Sequence, residues 1–414
     1  MRAAFPLALG ALLLSGCFGA GTTSTTPSTE GPAPMHAFAF SATQVDATLD
    51  VSEPSILSDP AGTLWIAGPT GFAKTIVEKD PSSAEHDSAL LKSTDHGATW
   101  TNVQQVPMYG RDACPGGGDS DLSSAPDGAV FLIDLNLANA PVDVSYDGGQ
   151  TWLFNCHSSI QPGIDRQWIA STSDYVWVSV NGLTGSPIVY RADRHLVPGA
   201  EGAPADTSLI FGAPVTVQQG GAIVADQKTG TVYLAGSGAT MEYSTDAGMT
   251  FKSVNTGLAD DGVDLSGSFI SIAIDLAGNV FVAGSGSEGI VVSGSADHGL
   301  TWTHAAKFKP YHTPAPKEKD SPYADAEYSF AWVAAGGNGT VGFAWYGWPS
   351  ANETGAYKMP AAGYYVFAGQ STDILQKGEE ATAVYARVSP TPITTKRLCT
   401  GISLPDFTQC DQAD

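Results

Sequence analysis

With 42 Asp and Glu against 19 Lys and Arg, the chain of 414 residues carries a formal net charge of −23 at neutral pH. Such a surface repels phosphate backbones and anionic headgroups, which excludes nucleic acid and a direct polybasic grip on lipid and leaves cations, neutral glycans or proteins as partners. Hydrophobic residues at 43%, charged residues at 15%, 47 Gly and 26 Pro describe a globular, turn-rich, sheet-rich chain, and no extended three-four apolar spacing after residue 35 supports long helices.

At the N-terminus, Arg2 is followed by an apolar run from Ala3 to Leu14, too short to span a bilayer. Leu14-Ser15-Gly16-Cys17 then resembles the lipobox of bacterial-type lipoproteins. The resemblance implies a signal peptide over residues 1–16, a diacylglycerol on Cys17 as the contact with the membrane, and a domain outside the cytoplasm on the cell membrane or outer membrane. An ordinary signal peptide with an incidental Cys is the alternative. Residues 17–35, rich in Thr, Ser, Pro and Gly, cannot bury a core and read as a flexible tether.

The domain expected over residues 36–390 is organised by one recurring phrase. It reads S-T-D-H-G-A-T-W from Ser93 to Trp100 and S-Y-D-G-G-Q-T-W from Ser145 to Trp152. It returns as S-T-D-A-G-M-T-F from Ser244 to Phe251 and S-A-D-H-G-L-T-W from Ser295 to Trp302. Its aspartates are Asp95, Asp147, Asp246 and Asp297, and worn copies stand at Arg191-Ala192-Asp193 and Ser371-Thr372-Asp373. A step of roughly fifty residues with one supersecondary unit each is what a propeller blade requires. Within the units an apolar strand leads to an Asp-x-x-Gly turn and then to a second strand. Examples are Asp59 to Gly62 before Leu64-Trp65-Ile66, and Asp275 to Gly278 before Val280-Phe281-Val282.

This phrase is the Asp-box, or BNR, repeat, and the chain resembles the sialidase-like β-propellers that carry it. The resemblance implies an all-β, six-bladed propeller with units near residues 50–105, 115–158, 163–212, 220–258, 267–308 and 326–390. Five or seven blades are the alternatives, because residues 36–50 supply either an outer strand or part of another blade. In the family the boxes sit at the turn between the third and fourth strands, away from the ligand-binding face, so Asp95, Asp147, Asp246 and Asp297 read as structural.

Four cysteines follow Cys17, an even number that suits two disulfides in an exported chain. Three pairings are possible, and Cys114–Cys156 with Cys399–Cys410 joins segments expected to be neighbours. Residues 391–414 then form a Cys-containing tail, and closure of the ring is expected from an outer strand at Ala37 to Ala42.

Ligands of propellers meet the loops that lead into the innermost strands. Here those loops carry Glu53, Asp119, Asp121, Asp165, Arg166, Asp264 and Glu327 with Tyr328. Glu53, Asp119, Asp121, Asp165 and Arg166 are the candidate binding residues. Asp119, Asp121 and Asp165 suit calcium if a metal is held at all, since carboxylate oxygens match a hard cation; no cofactor is required.

The resemblance supplies a glycosidase alternative, with Tyr328 as nucleophile, Glu327 as its activator, and Asp80 or Asp87 as acid/base. Against sialic acid stands the missing cationic clamp. Ser52-Glu53-Pro54 occupies the place of the family's arginine motif, and no arginine occurs between Arg194 and Arg387. The reading that follows is an exported propeller binding a glycan or protein at an acidic central face, with a glycoside hydrolase or lyase as the rival.

Overall fold

The structure is a computed structural model. It describes residues 45–46, 51, 53–69, 88–103, 117–135, 140–153, 160, 163–182, 186–194, 209–236, 238–260, 263, 265, 269–286, 289–311, 328–349, 361–395, 397–398 and 410–411. By packing, the chain divides into residues 1–35 and His36–Asp414. The first unit, and with it Cys17, lies outside the described residues.

Six antiparallel sheets succeed one another along the second unit, each built from a contiguous stretch of chain. Blade 1 is β1 (Ser55–Ser58), β2 (Leu64–Gly68), β3 (Ala89–Ser93) and β4 (Thr101–Asn102). Blade 2 is β5 (Ser120–Ser124), β6 (Val130–Asp134) and β7 (Val142–Ser145), and among the described residues a bridge between Val144 and Leu153 marks its fourth position. Blade 3 comprises β8 (Ile164–Ser171), β9 (Tyr175–Gly182), β10 (Ile188–Asp193) and β11 (Val215–Thr216). Blade 4 comprises β12 (Ile223–Ala225), β13 (Val232–Ala235), β14 (Thr240–Ser244) and β15 (Lys252–Asn255). Blade 5 runs through β16 (Ser271–Ile274), β17 (Val280–Gly286), β18 (Gly289–Ser295) and β19 (Ala306–Phe308). Blade 6 runs through β20 (Tyr328–Ala335), β21 (Val341–Gly347), β22 (Tyr365–Ser371) and β23 (Val384–Arg387). The protein is a six-bladed β-propeller, as the repeat count implied.

The first strand of each blade packs on the first strand of the next, from β1 against β5 to β16 against β20. Between blades lie the apolar cores. Trp65, Val130, Leu132 and Trp152 fill the space between blades 1 and 2. Phe281, Ala283, Phe343, Trp345 and Phe367 fill that between blades 5 and 6. Strand alternation sends these residues to the buried faces, and burial of such side chains contributes roughly 1.5–3 kcal/mol each.

The Asp boxes Ser93 to Trp100, Ser244 to Phe251 and Ser295 to Trp302 connect the third and fourth strands of their blades. In the box of blade 1, Asp95 Oδ1 accepts the Ser93 hydroxyl and the Thr99 N–H, and Oδ2 accepts the Thr99 hydroxyl at 2.6 Å. Ser93 Oγ accepts the Gly97 N–H. The boxes of Asp147, Asp246 and Asp297 repeat this set. These bonds, led by the one from the threonine hydroxyl, hold the carboxyls of Asp95 and Asp246 down at about 2. The residue after the aspartate is left-handed in every box, with φ of 58° at His96, 59° at Ala247 and 59° at His298, and glycine at Gly148. The next glycine is obligatory in blade 2: a Cβ on Gly149 would stand 2.4 Å from the Trp65 ring.

The worn copies diverge. In blade 6 Asp373 keeps the Ser371 hydroxyl, but its threonine has moved to Thr382, beyond an inserted helix α1 (Ile374–Lys377). In blade 3 Arg194 takes over the end of the strand. It donates to the Thr172 and Ser173 carbonyls and to Asp127 Oδ2 of blade 2 at 2.6 Å. Asp373 is buried and also meets Lys377 at 2.9 Å, whereas Asp246 is solvent-exposed. Asp373→Ala is therefore expected to destabilise the protein by about 2–3 kcal/mol and Asp246→Ala by only about 1 kcal/mol, measured by urea unfolding.

The outer position of blade 6 is filled by β23, which pairs with β22 from Phe367–Arg387 to Gln370–Val384. These four strands of the last blade come from its own segment; Ala37 to Ala42, where an outer strand is expected, lie outside the described residues. Beyond it, β24 (Arg397–Leu398) and β25 (Cys410–Asp411) form a short parallel pair.

Candidate functional site

The strand order puts the starts of all first strands on the face opposite the Asp boxes. Three of the sequence candidates meet there. Arg166 lies in β8 at a bulge between Ile164 and Gln167, and its backbone is left-handed at φ 65°. A bulge of this kind re-aims one side chain out of the strand alternation. Arg166 Nη1 donates to Glu53 Oε2 at 2.8 Å and to Asp119 Oδ1 at 3.1 Å. The guanidinium also lies 5.4 Å from the Trp168 ring centroid. Glu53, just ahead of β1, is itself left-handed at φ 43°. Residues of three blades thus converge on one guanidinium, and two of them hold backbone conformations that L-residues rarely adopt.

Asp121 lies beneath them and has a different task. Its Oδ1 accepts the Ser55 hydroxyl of β1 at 2.6 Å, and its Oδ2 accepts the Ile169 N–H of β8 at 3.0 Å. It therefore ties the first strands of blades 1, 2 and 3. Burial pushes its carboxyl above the usual range, against the pull of Ser55, Ile169 and Arg166. Where the sequence led to an open tunnel carboxylate, Asp121 is a half-buried inter-blade brace, both of its oxygens engaged by neighbouring blades. Gln167, fully buried, donates its side-chain amide to the Asp119 carbonyl and fixes the loop that presents Asp119.

That loop has a second anchor. Asp134, at the end of β6, accepts the Gly117 N–H at 3.1 Å, the Ser88 hydroxyl at 2.8 Å and the Ser88 N–H at 3.2 Å. Gly118 and Leu135 extend the pairing, since Gly118 N–H reaches the Leu135 carbonyl and Leu135 N–H the Asp119 carbonyl. Burial pushes Asp134 up to about 7, and repulsion from Asp143 adds to it while the Ser88 and Gly117 bonds oppose it.

Asp119 and Glu53 give oxygens to a guanidinium, Asp121 gives both of its oxygens to neighbouring blades, and the Asp165 side chain lies outside the described residues. Among the described residues no three His, Cys, Asp or Glu side chains are arranged to hold a metal.

Tyr328 does not join the cluster. It is buried in the core between blades 5 and 6, stacked on Tyr311 with centroids 4.7 Å apart, and its hydroxyl donates to the Tyr311 carbonyl at 2.7 Å. Tyr311 in turn accepts from Trp345 Nε1 at 2.9 Å. Glu327, Asp80, Asp87, Asp264, Cys114, Cys156 and Cys399 lie outside the described residues, and Cys410 is described only as part of β25.

On the far side of the same face the candidates are aromatic. Phe330 sits at a second bulge, between Ser329 and Trp332 in β20, with φ 53°. Its ring stacks on Phe269, just ahead of β16, at 5.8 Å and 22°. It also meets Tyr346 edge-on at 6.2 Å, and with Tyr346 and Trp348 it packs on the fully buried Tyr364. The sequence offered no signal for this pairing beyond the position of Phe269 and Phe330 at strand starts.

No protein-family model matches the chain, and no curated protein sequence matches it. Among solved structures it is similar to a fucose-complexed lectin of Aleuria aurantia at 11% identity and a TM-score of 0.42, covering 83% of this chain and 97% of that one. It is similar to the intramolecular trans-sialidase of Ruminococcus gnavus at 12% identity and a TM-score of 0.36, covering 83% and 86%. A Trypanosoma rangeli sialidase gives 10% identity and a TM-score of 0.41, covering 72% and 53%. Likeness at these scores says nothing about the site, whose reading rests on the geometry above.

Proposed function

We propose that the chain is a lipid-anchored, cell-surface propeller that binds a neutral glycan at the face where its first strands begin, without sialidase chemistry. The observation that carries this is Arg166, held in a left-handed bulge between carboxylates of two other blades. Backbone strain persists where surrounding structure enforces it, and it clusters at ligand sites. A guanidinium flanked by carboxylates offers donors and acceptors side by side, the pattern that adjacent sugar hydroxyls satisfy. Two carboxylates against one guanidinium leave the cluster negative, which disfavours a carboxylated sugar. The buried Tyr328 phenol gives the hydrolytic reading no support. The N-terminal lipobox resemblance and tether support the surface location.

The test is a glycan array and a glycosidase panel on the full-length protein in detergent. The expected result is binding of uncharged saccharides with no release of reducing sugar. Hydrolysis of sialosides, or binding confined to sialylated glycans, would overturn the proposal.

A further inference from the structure

Blade 6 stands three blades from blade 3 along the ring, and the two share a device the other first strands lack among the described residues. Each has a bulge in its first strand carrying a non-glycine residue of positive φ, Arg166 in β8 and Phe330 in β20. For a bulky residue such as Phe a φ of 53° is a real outlier. An aromatic ring that merely needed burial would follow the strand alternation instead.

The strain places Phe330 under Phe269. Phe330 is half-buried and braced by Tyr346, while Phe269 keeps 49% of its surface exposed. Phe269 is thus a half-exposed apolar ring backed by a second ring. It adjoins the starts of two first strands, on the face that also holds the Arg166 cluster. A large exposed aromatic backed in this way suits a ligand with one apolar face and a polar rim.

We propose that Phe269, supported by Phe330, is a stacking subsite for the C–H face of a neutral pyranose ring. The inference rests on the glycan-binding reading of this face and adds the place and chemistry of a second contact. The polar cluster recognises hydroxyls; the ring pair recognises the sugar face that carries none. A cationic ligand is the competing occupant of an aromatic face on an acidic protein, and the experiment separates the two.

The experiment is titration calorimetry of the full-length protein in detergent with neutral methyl pyranosides of the gluco, galacto, manno and fuco series, the saccharides bound on the array, and tetramethylammonium as a cation control. Phe269→Ala is expected to weaken saccharide binding about tenfold or more, with an unchanged melting temperature because the ring is half exposed. Phe269→Trp is expected to retain binding. Affinity within twofold of wild type in Phe269→Ala, while Arg166→Ala abolishes binding, would sink the subsite and leave the glycan reading standing. Binding of tetramethylammonium in place of every saccharide would overturn the saccharide assignment, and wild-type protein that binds no saccharide overturns both.

Discussion

Stability is expected to fall as pH rises from about 4 to about 7, the reverse of the usual trend for an acidic protein. Asp134 is the cause. Its carboxyl titrates near 7 in the fold against an ordinary 3.8, so between those values the folded state holds a proton that the unfolded state has released. Stability must then decline with rising pH across that window and level off above it. A shift of this size corresponds to about 4 kcal/mol, at 1.36 kcal/mol for each pH unit. The Asp boxes oppose it on the acid side, because carboxyls held near 2 lose their stabilising bonds as pH falls from about 4. An optimum near pH 4–5 results. Urea unfolding from pH 3 to 8 measures it, and Asp134→Asn is expected to flatten the limb between 4 and 7. A wild-type profile that rises through this range would remove the argument.

The second large effect is at Arg166. Arg166→Ala leaves Glu53 and Asp119 facing one another without their shared cation, above a half-buried Asp121. Removing one partner of such a half-buried cluster is expected to cost about 2–4 kcal/mol as well as ligand binding. The backbone gives an internal control. At φ 65° glycine is relaxed where alanine is strained, so Arg166→Gly is expected to be about 1 kcal/mol more stable than Arg166→Ala and equally unable to bind. Equal unfolding midpoints for the two variants would show that the left-handed backbone carries no strain.

The fold was legible because what makes it is local. The bonds that the box serine and threonine make to the box aspartate join residues two to four apart, as from Ser93 and Thr99 to Asp95, so the turn is written in eight letters. The site is assembled the other way. Arg166 meets Glu53 across 113 positions and Asp119 across 47, and Ser55 meets Asp121 across 66. The sequence could supply the members of the cluster from their places at strand starts. It could not supply the assignment of Asp121 to bracing, because that depends on which face of β5 meets blades 1 and 3. Asp134 was missed, although an acid ending the apolar run Val130-Phe131-Leu132-Ile133 is a visible oddity. Tyr328 stands at the head of a first strand, the place the family pattern gives its tyrosine, and its ring packs in the core between blades 5 and 6.

Because each blade is a continuous stretch of chain, the molecule can be assembled in the order in which it emerges. A chain delivered N-terminus first completes the first sheet once Asn102 is out, and no strand has to wait for a distant partner. Such short-range pairing favours rapid, stepwise folding over a search for remote contacts. The two clusters on the face of the first-strand starts are therefore completed at different times. The Arg166 cluster is whole when Ser171 has appeared, whereas Phe269 gains its backing only after Phe330 and Tyr346 arrive. The Arg166 cluster is thus encoded in the first half of the chain, whereas the partners of Phe269 arrive in the last quarter.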